Sequence, residues 1–188
     1  MIISIFYIGK VIVMNSYEKQ FNTNEDNSTA WHNKSADLLS SAHVLWEAMQ
    51  NDNNLSVQCG PPYKMLIGMS FELLFKAICI QRGLTLKHTH NLVSLSQSAN
   101  ISLTKDEASV LSVLTEYIYW DGRYPNPKDK DALEKHWKNE NKVTNDEVKV
   151  GGLVFQRHNE KLDFDQLIKI WRKYSDPYVE EDSKTKVG

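Results

Sequence analysis

The chain has 188 residues, 41% of them hydrophobic and 24% charged, with a formal net charge of -2. That size and balance fit one soluble globular domain with some extra segments. The near-zero charge excludes a global field drawing the protein to nucleic acid or an anionic membrane, although local patches remain open.

The chain opens with "MIISIFYIGKVIVM", residues 1–14, an apolar run interrupted by Lys10. A membrane span needs roughly 20 apolar residues, so no span is expected. The run also lacks a basic start and an A-x-A site, so it does not read as a signal peptide. An edge strand, a membrane-surface anchor and an extension upstream of a working start at Met14 all stay open. The last is preferred, because the polar stretch Asn15 to Thr29 reads as disordered. Residues 1–29 are thus expected to form a disordered or extended segment.

Ala30 to Gln50 reads as the first helix, capped by Ser28 or Thr29, with Trp31, Ser35, Leu38, Leu39, Ala42, Leu45, Trp46 and Met49 on one face. "NDNNLSVQCGPP" breaks the pattern as a loop, and Pro62 suits the first turn of the next helix. From Pro62 to Arg82 the chain is apolar nearly all round, which marks a central buried helix, and Gly83 is its left-handed C-cap. Glu72 and Lys76 inside it are spaced i, i+4 in the favoured orientation.

"KHTHNLVSLSQSAN" predicts a short helix starting at Thr89 with Leu92, Val93 and Leu95 inward. Thr104 to Glu107 is a capping box opening a helix that ends at Asp121-Gly122, and Pro125 and Pro127 prevent its resumption. "DALEKHWKNEN" is helical with a weak apolar face, and "EVKVGGLVF" is a hairpin expected to lie against the helices, since isolated hairpins are marginal. Asp163 or Asp165 caps a last helix carrying Phe164, Leu167, Ile168, Trp171 and Tyr174 on one face. The expected fold is all-α: an up-and-down bundle of four to five helices with a small β-hairpin insertion near 147–156. The helical domain spans 30–176 with a charged insertion at 128–160, and 177–188 is expected to be a flexible tail.

The two cysteines, Cys59 and Cys79, form no CxxC and have no His/Cys cluster nearby, so no metal site is expected. Cys79 reads as a small buried hydrophobe, and two sparse thiols suit a reducing cytosol. There is no GxGxxG, P-loop or HExxH, and no cofactor is expected.

The stretch "FELLFKAICIQRG" followed by "KHTHNLVSL" resembles the HEPN superfamily of helical nucleotide-binding domains. The resemblance rests on Glu72 and Lys76 as E-x-x-x-K, on Gly83, and on "HNLVSL" from His90 to Leu95. The loop "WDGRYPNP" looks like one uncharacterised branch of that group, and the likeness covers Trp31 to Pro127. It implies a cytoplasmic homodimer, formed through the first two helices, belonging to a defence or toxin–antitoxin type system. Many HEPN domains are metal-independent RNases with an R-x(4–6)-H motif near the dimer interface. Others lack it and serve as binding or accessory modules for RNA, nucleotide or partner protein.

Arg82 and His88 in "RGLTLKH" satisfy that spacing but straddle a C-cap glycine and a loop, whereas the family motif sits on a later helix. An arginine in a helix's last turn is favoured there by the macrodipole alone. Arg123 is better motivated, because Gly122 and Pro125 fix the backbone around it and Trp120 and Tyr124 flank it. Its guanidinium can hold a phosphate bidentately, or bridge orphan carbonyls at a helix end. Positions four to six residues on, including Lys128 and Asp129, hold no histidine, so Arg123 cannot complete the motif in sequence. His90 either pins the loop by a hydrogen bond or acts in catalysis, and His158 is a further candidate in the insertion. Glu72 and Lys76 read as a partly buried pair or a polar patch at a dimer interface. "KIWRKY" interleaves Lys169, Arg172 and Lys173 with Trp171 and Tyr174, which suits either RNA contact or the helix dipole. The preferred function is a non-catalytic binding or accessory module. The alternatives are an endoribonuclease pairing Arg123 with His90 or His158 across a dimer, and an interaction protein with no nucleic-acid role.

Overall fold

The computed structural model describes residues 17–187 apart from 22 and 25, the last three by backbone alone. The opening apolar run and its three readings lie outside the described residues. Residues 17–21, 23 and 24 are helical, in place of the disorder expected there.

Helix α1 runs Ser28–Asn51, and its cap is Asn27, whose side chain accepts from the Thr29 and Ala30 N–H groups. Ser28 and Thr29, the expected caps, are the first residues inside. Helix α2, Asn53–Gln81, follows after a single extended residue, Asp52, whose side chain accepts from the Asn54 N–H. This corrects the expected loop, because Pro61 and Pro62 lie within the helix. Prolines there leave the carbonyls four residues back without their helical donors. Those carbonyls belong to Val57 and Gln58, both exposed, so water can satisfy them.

Beyond the prolines α2 is the centre of the molecule. Tyr63, Ile67, Phe71, Leu74, Phe75, Ala77, Ile78 and Cys79 are all at most 2% exposed. Each large side chain buried in this way stabilises the fold by roughly 1.5–3 kcal/mol. Burial also pushes the Cys79 thiol up, which keeps it protonated and inert. The helix ends in a Schellman turn: Gly83, at φ +62°, donates to Ile80 O, and Leu84 donates to Cys79 O.

Helix α3 is Leu92–Ser98, capped by Asn91, which moves its start three residues past Thr89. Leu92 and Leu95 are fully buried. Helix α4, Lys105–Glu116, carries both halves of the Thr104–Glu107 capping box. Glu107 also accepts from Lys173 Nζ at 2.6 Å and Tyr174 Oη at 2.9 Å, tying α4 to the last helix.

A π-helical turn, Tyr117–Asp121, continues α4. The Gly122 N–H reaches back five residues to Tyr117 O at 3.1 Å. Helix α4 and this turn press closely on α2. A Cβ on Gly122 would stand 2.4 Å from Met65 Cβ and 2.8 Å from Tyr117 O, and one on Gly68 would meet Ile118 and Leu114 O.

Helix α5 is Lys130–Thr144, capped by Asp129. Its weak apolar face has a physical reason, since the residues it buries are His136, Glu140, Val143 and Thr144. Strands β1, Asn145–Val150, and β2, Leu153–His158, pair antiparallel with Val150 opposite Leu153 across Gly151-Gly152. Both glycines have positive φ, as a tight two-residue hairpin turn requires. Every residue of β2 is exposed, and in β1 only Asn145, Asp146 and Val148 are partly covered, so the helices cover little of the hairpin beyond its base.

Helix α6 runs Phe164–Val187, straight through Pro177. The segment after Pro177 is therefore helical, not the loose tail expected. Tyr178 is 3% exposed, stacks on His32 at 4.6 Å and donates to Ser28 Oγ at 3.1 Å. His32 Nε2 lies 2.8 Å from Ser175 Oγ, and burial holds that imidazole below its usual range.

Two predictions follow from this packing. Gly122→Ala improves helix propensity yet drives a methyl into α2, so it is expected to lower unfolding free energy by about 1–3 kcal/mol in urea denaturation. Burial alone would raise the Glu107 carboxyl, but hydrogen bonds from Lys173, the Thr104 N–H and Tyr174 outweigh it and hold the group below its ordinary 4.5. A group depressed in the folded state contributes stability above its unfolded value and loses it as pH falls through the folded one. Glu107→Gln is therefore expected to cost about 1–3 kcal/mol at pH 7, and progressively less than that below the ordinary glutamate value. Urea midpoints across acid pH measure the convergence of the two proteins.

Candidate functional site

Helix α2 presents Glu72 and Lys76 one turn apart, both nearly buried, and the Schellman turn brings the following loop back over them. Lys76 Nζ donates to Glu72 Oε1 at 2.7 Å, and His90 Nδ1 meets Glu72 Oε2 at 2.8 Å. An ionised carboxylate can only accept, so the bond to Glu72 uses a proton on His90 Nδ1. The His90 side chain is 51% exposed, while that of Glu72 is 7% exposed. The Lys76 ammonium sits 5.7 Å from the centre of the Trp31 ring. The imidazole stands edge-on to Tyr119 at 5.6 Å.

Beside this group is a cavity of about 590 Å³ whose walls include Phe21, Trp31, Leu73 and Leu86, with Lys34 and His88 among its polar groups. Aromatic and aliphatic walls with a few placed polar groups are what small-ligand sites are made of, and the volume is in their range.

Arg123 has a defined task. Its Nη2 donates to Ile118 O at 2.5 Å and Tyr119 O at 3.0 Å, the carbonyls released by the wide π turn. The guanidinium lies 5.4 Å from the centre of the exposed Tyr124 ring. Arg82 Nη1 likewise donates to Ala99 O at 2.7 Å, clamping the end of α2 to the end of α3. Each arginine is thus anchored to main-chain oxygens through one terminal nitrogen. His88 is exposed, and His158 is exposed at the end of the hairpin. Of the residues singled out in the sequence, the fold joins Glu72, Lys76 and His90 directly. Arg123 approaches them only through Tyr119, whose ring faces His90 and whose carbonyl takes the guanidinium.

A second polar cluster was not legible in the sequence. Lys64 Nζ donates to Glu140 Oε1 at 2.5 Å and to Tyr117 Oη at 2.9 Å, and Tyr117 Oη donates to Glu140 Oε1 at 2.8 Å. The fully buried His136 places Nε2 3.2 Å from Asp121 Oδ2 and 3.6 Å from Glu140 Oε2. Burial, then the Glu140 carboxylate, pushes the Tyr117 hydroxyl up, so it remains a donor. The only local sign was His136 and Glu140 at i, i+4. Their partners come from α2 and the π turn, far away in the chain.

Among the described residues no group of three His, Cys, Asp or Glu is placed to hold a metal, and no helix is long and apolar enough to cross a membrane. Comparison of the chain with family models, curated proteins and solved structures gave no match.

Glu72 pairs with Lys76 and bonds His90 from a buried position. Glu72→Ala is expected to leave the Lys76 ammonium uncompensated and to cost about 3–5 kcal/mol, whereas His90→Ala, at a half-exposed imidazole, should cost under about 1 kcal/mol. Urea titrations of both variants test that order, and equal losses would show that Glu72 is not the anchor.

Proposed function

We propose that the protein is a HEPN-like helical binding or accessory module that takes RNA or a nucleotide without cleaving it. In this reading the helices form the up-and-down bundle of that group and the chain works as a cytoplasmic homodimer in a defence or toxin–antitoxin type system. One observation carries the non-catalytic part. The two arginines that a phosphate-cleaving pair would call on, Arg82 and Arg123, are each anchored by one terminal guanidinium nitrogen to backbone carbonyls of the fold. The binding part is supported by the cavity beside Glu72 and His90. There a base would lie against Trp31 and Phe21 while Lys34 and His88 meet phosphate.

The endoribonuclease reading keeps one specific support. Tyr119 holds Arg123 on its carbonyl and His90 on its ring, so one dimer contact at Tyr119 would involve both. In that case His90 Nε2 would act as the base on a 2′-hydroxyl.

Fluorescence anisotropy with a short single-stranded RNA, at low and then rising salt, tests the proposal. Salt-sensitive binding is expected. Lys34→Ala should weaken it by about tenfold, the scale of one charge-assisted contact, with no RNA degradation by the wild type. Cleavage lost in Arg123→Ala would establish the enzyme instead. No binding of RNA or nucleotide at low salt would leave the interaction-protein reading.

A further inference from the structure

The geometry points to a second ligand site, for a small protonated amine or guanidine, in the cavity between α1, α2, α5 and the residues leading into α6. The cavity is about 420 Å³, and Trp46, Tyr63 and Trp137 line it together with the carboxylates of Glu140 and Asp163. It lies at the other end of α2 from Glu72, beyond the reading proposed above and independent of it.

Three observations give the site its sign. The walls are aromatic and fixed: Trp46 and Tyr63 have ring centres 5.4 Å apart, and Tyr63 Oη donates to Leu162 O at 3.1 Å. Aromatic faces carry negative potential and attract a cation. One acceptor is left over. Glu140, 7% exposed, is occupied: Lys64 and Tyr117 both donate to its Oε1, and its Oε2 is turned into the fold, 3.6 Å from His136 Nε2. The Asp163 carboxylate accepts no hydrogen bond from a described residue. It is not needed as a helix cap either, since the first-turn Gln166 and Leu167 N–H groups bond to the Asp163 carbonyl. Burial, then Glu160 beside it, pushes the Asp163 carboxyl up against the opposing pull of His158.

An anion has no such welcome. The Lys64 ammonium in this cavity is held by Glu140 and Tyr117, leaving Asp163 as the carboxylate with no hydrogen-bonded cation. A ligand with N–H donors on a short aliphatic body meets both needs, its cationic head at Asp163 and its carbon chain against the rings. Trp137, at 47% exposed, is a large aromatic left half outside the core, where the cavity meets solvent.

Calorimetric titration of the full chain with agmatine tests the assignment, with adenosine monophosphate and an arginine-containing peptide as separate arms. Saturable agmatine binding is expected. It should weaken about tenfold in Asp163→Asn, which keeps the shape and removes the charge. It should also weaken in Trp137→Ala, whose exposed position leaves the core intact if the first variant does not fold. Lys34→Ala should leave it unchanged, which separates this site from the one beside Glu72. Absence of saturation, undiminished binding by both cavity variants, or capture of the nucleotide or the peptide in place of agmatine would overturn the proposal.

Discussion

From Gly60 onward helix α2 has no face it can give to water, and the other elements are arranged around that constraint. Helices α1, α3, α4, α6 and the π turn all contact it. The contacts are close because small residues stand at the crossings. Gly68 admits Ile118, and Gly122 lies against Met65 with no room for a methyl. At native packing density such an approach fixes the position of α4 to within a fraction of an ångström. Gly122, held against Met65, also closes the five-residue hydrogen bond that makes the end of α4 a wide turn.

From that turn come two consequences of different kinds. Its freed carbonyls are what Arg123 satisfies, so the arginine belongs to the mechanics of the loop. Its widened geometry also carries Tyr117 and Asp121 into the interior, where they meet His136 and Glu140. Buried π turns of this kind are found where a helix has been adapted to place side chains. Polar groups sunk this deeply are stable only when partnered. Most here are, and the unpartnered Glu140 Oε2 is one of the few exceptions.

Elements whose cause is local were readable from the chain. The capping box at Thr104, the Gly151-Gly152 turn, the Gly83 terminus and the greasy stretch around Phe71 each state their structure within a few residues. The helical character and the small hairpin could be read for that reason. Elements whose cause is tertiary were not. Pro61 and Pro62 look like a break, but burial of the surrounding helix outweighs two missing donors whose carbonyls face water. Helix α5 looks weakly amphipathic because its inner face is polar, with partners some 76 and 15 residues away at Lys64 and Asp121. Arg123 was legible as an arginine held by a rigid loop, yet its acceptors exist only once the π turn has formed. The tail after Pro177 hid its order because the ring that receives Tyr178 belongs to His32, at the start of α1.

That last contact ties the two ends of the helical body together. The hydrogen bonds from His32 to Ser175 and from Tyr178 to Ser28 join positions 143 and 150 residues apart. A loop of that size closes only against the configurational freedom of almost the whole chain. The clasp therefore gains little until α2 and its neighbours have already drawn the intervening chain together, and it belongs to the last stage of folding. The same reasoning runs backwards on unfolding: parting α6 from α1 would uncover Leu167 and Trp171, so the seam between first and last helix opens only as the centre itself loosens.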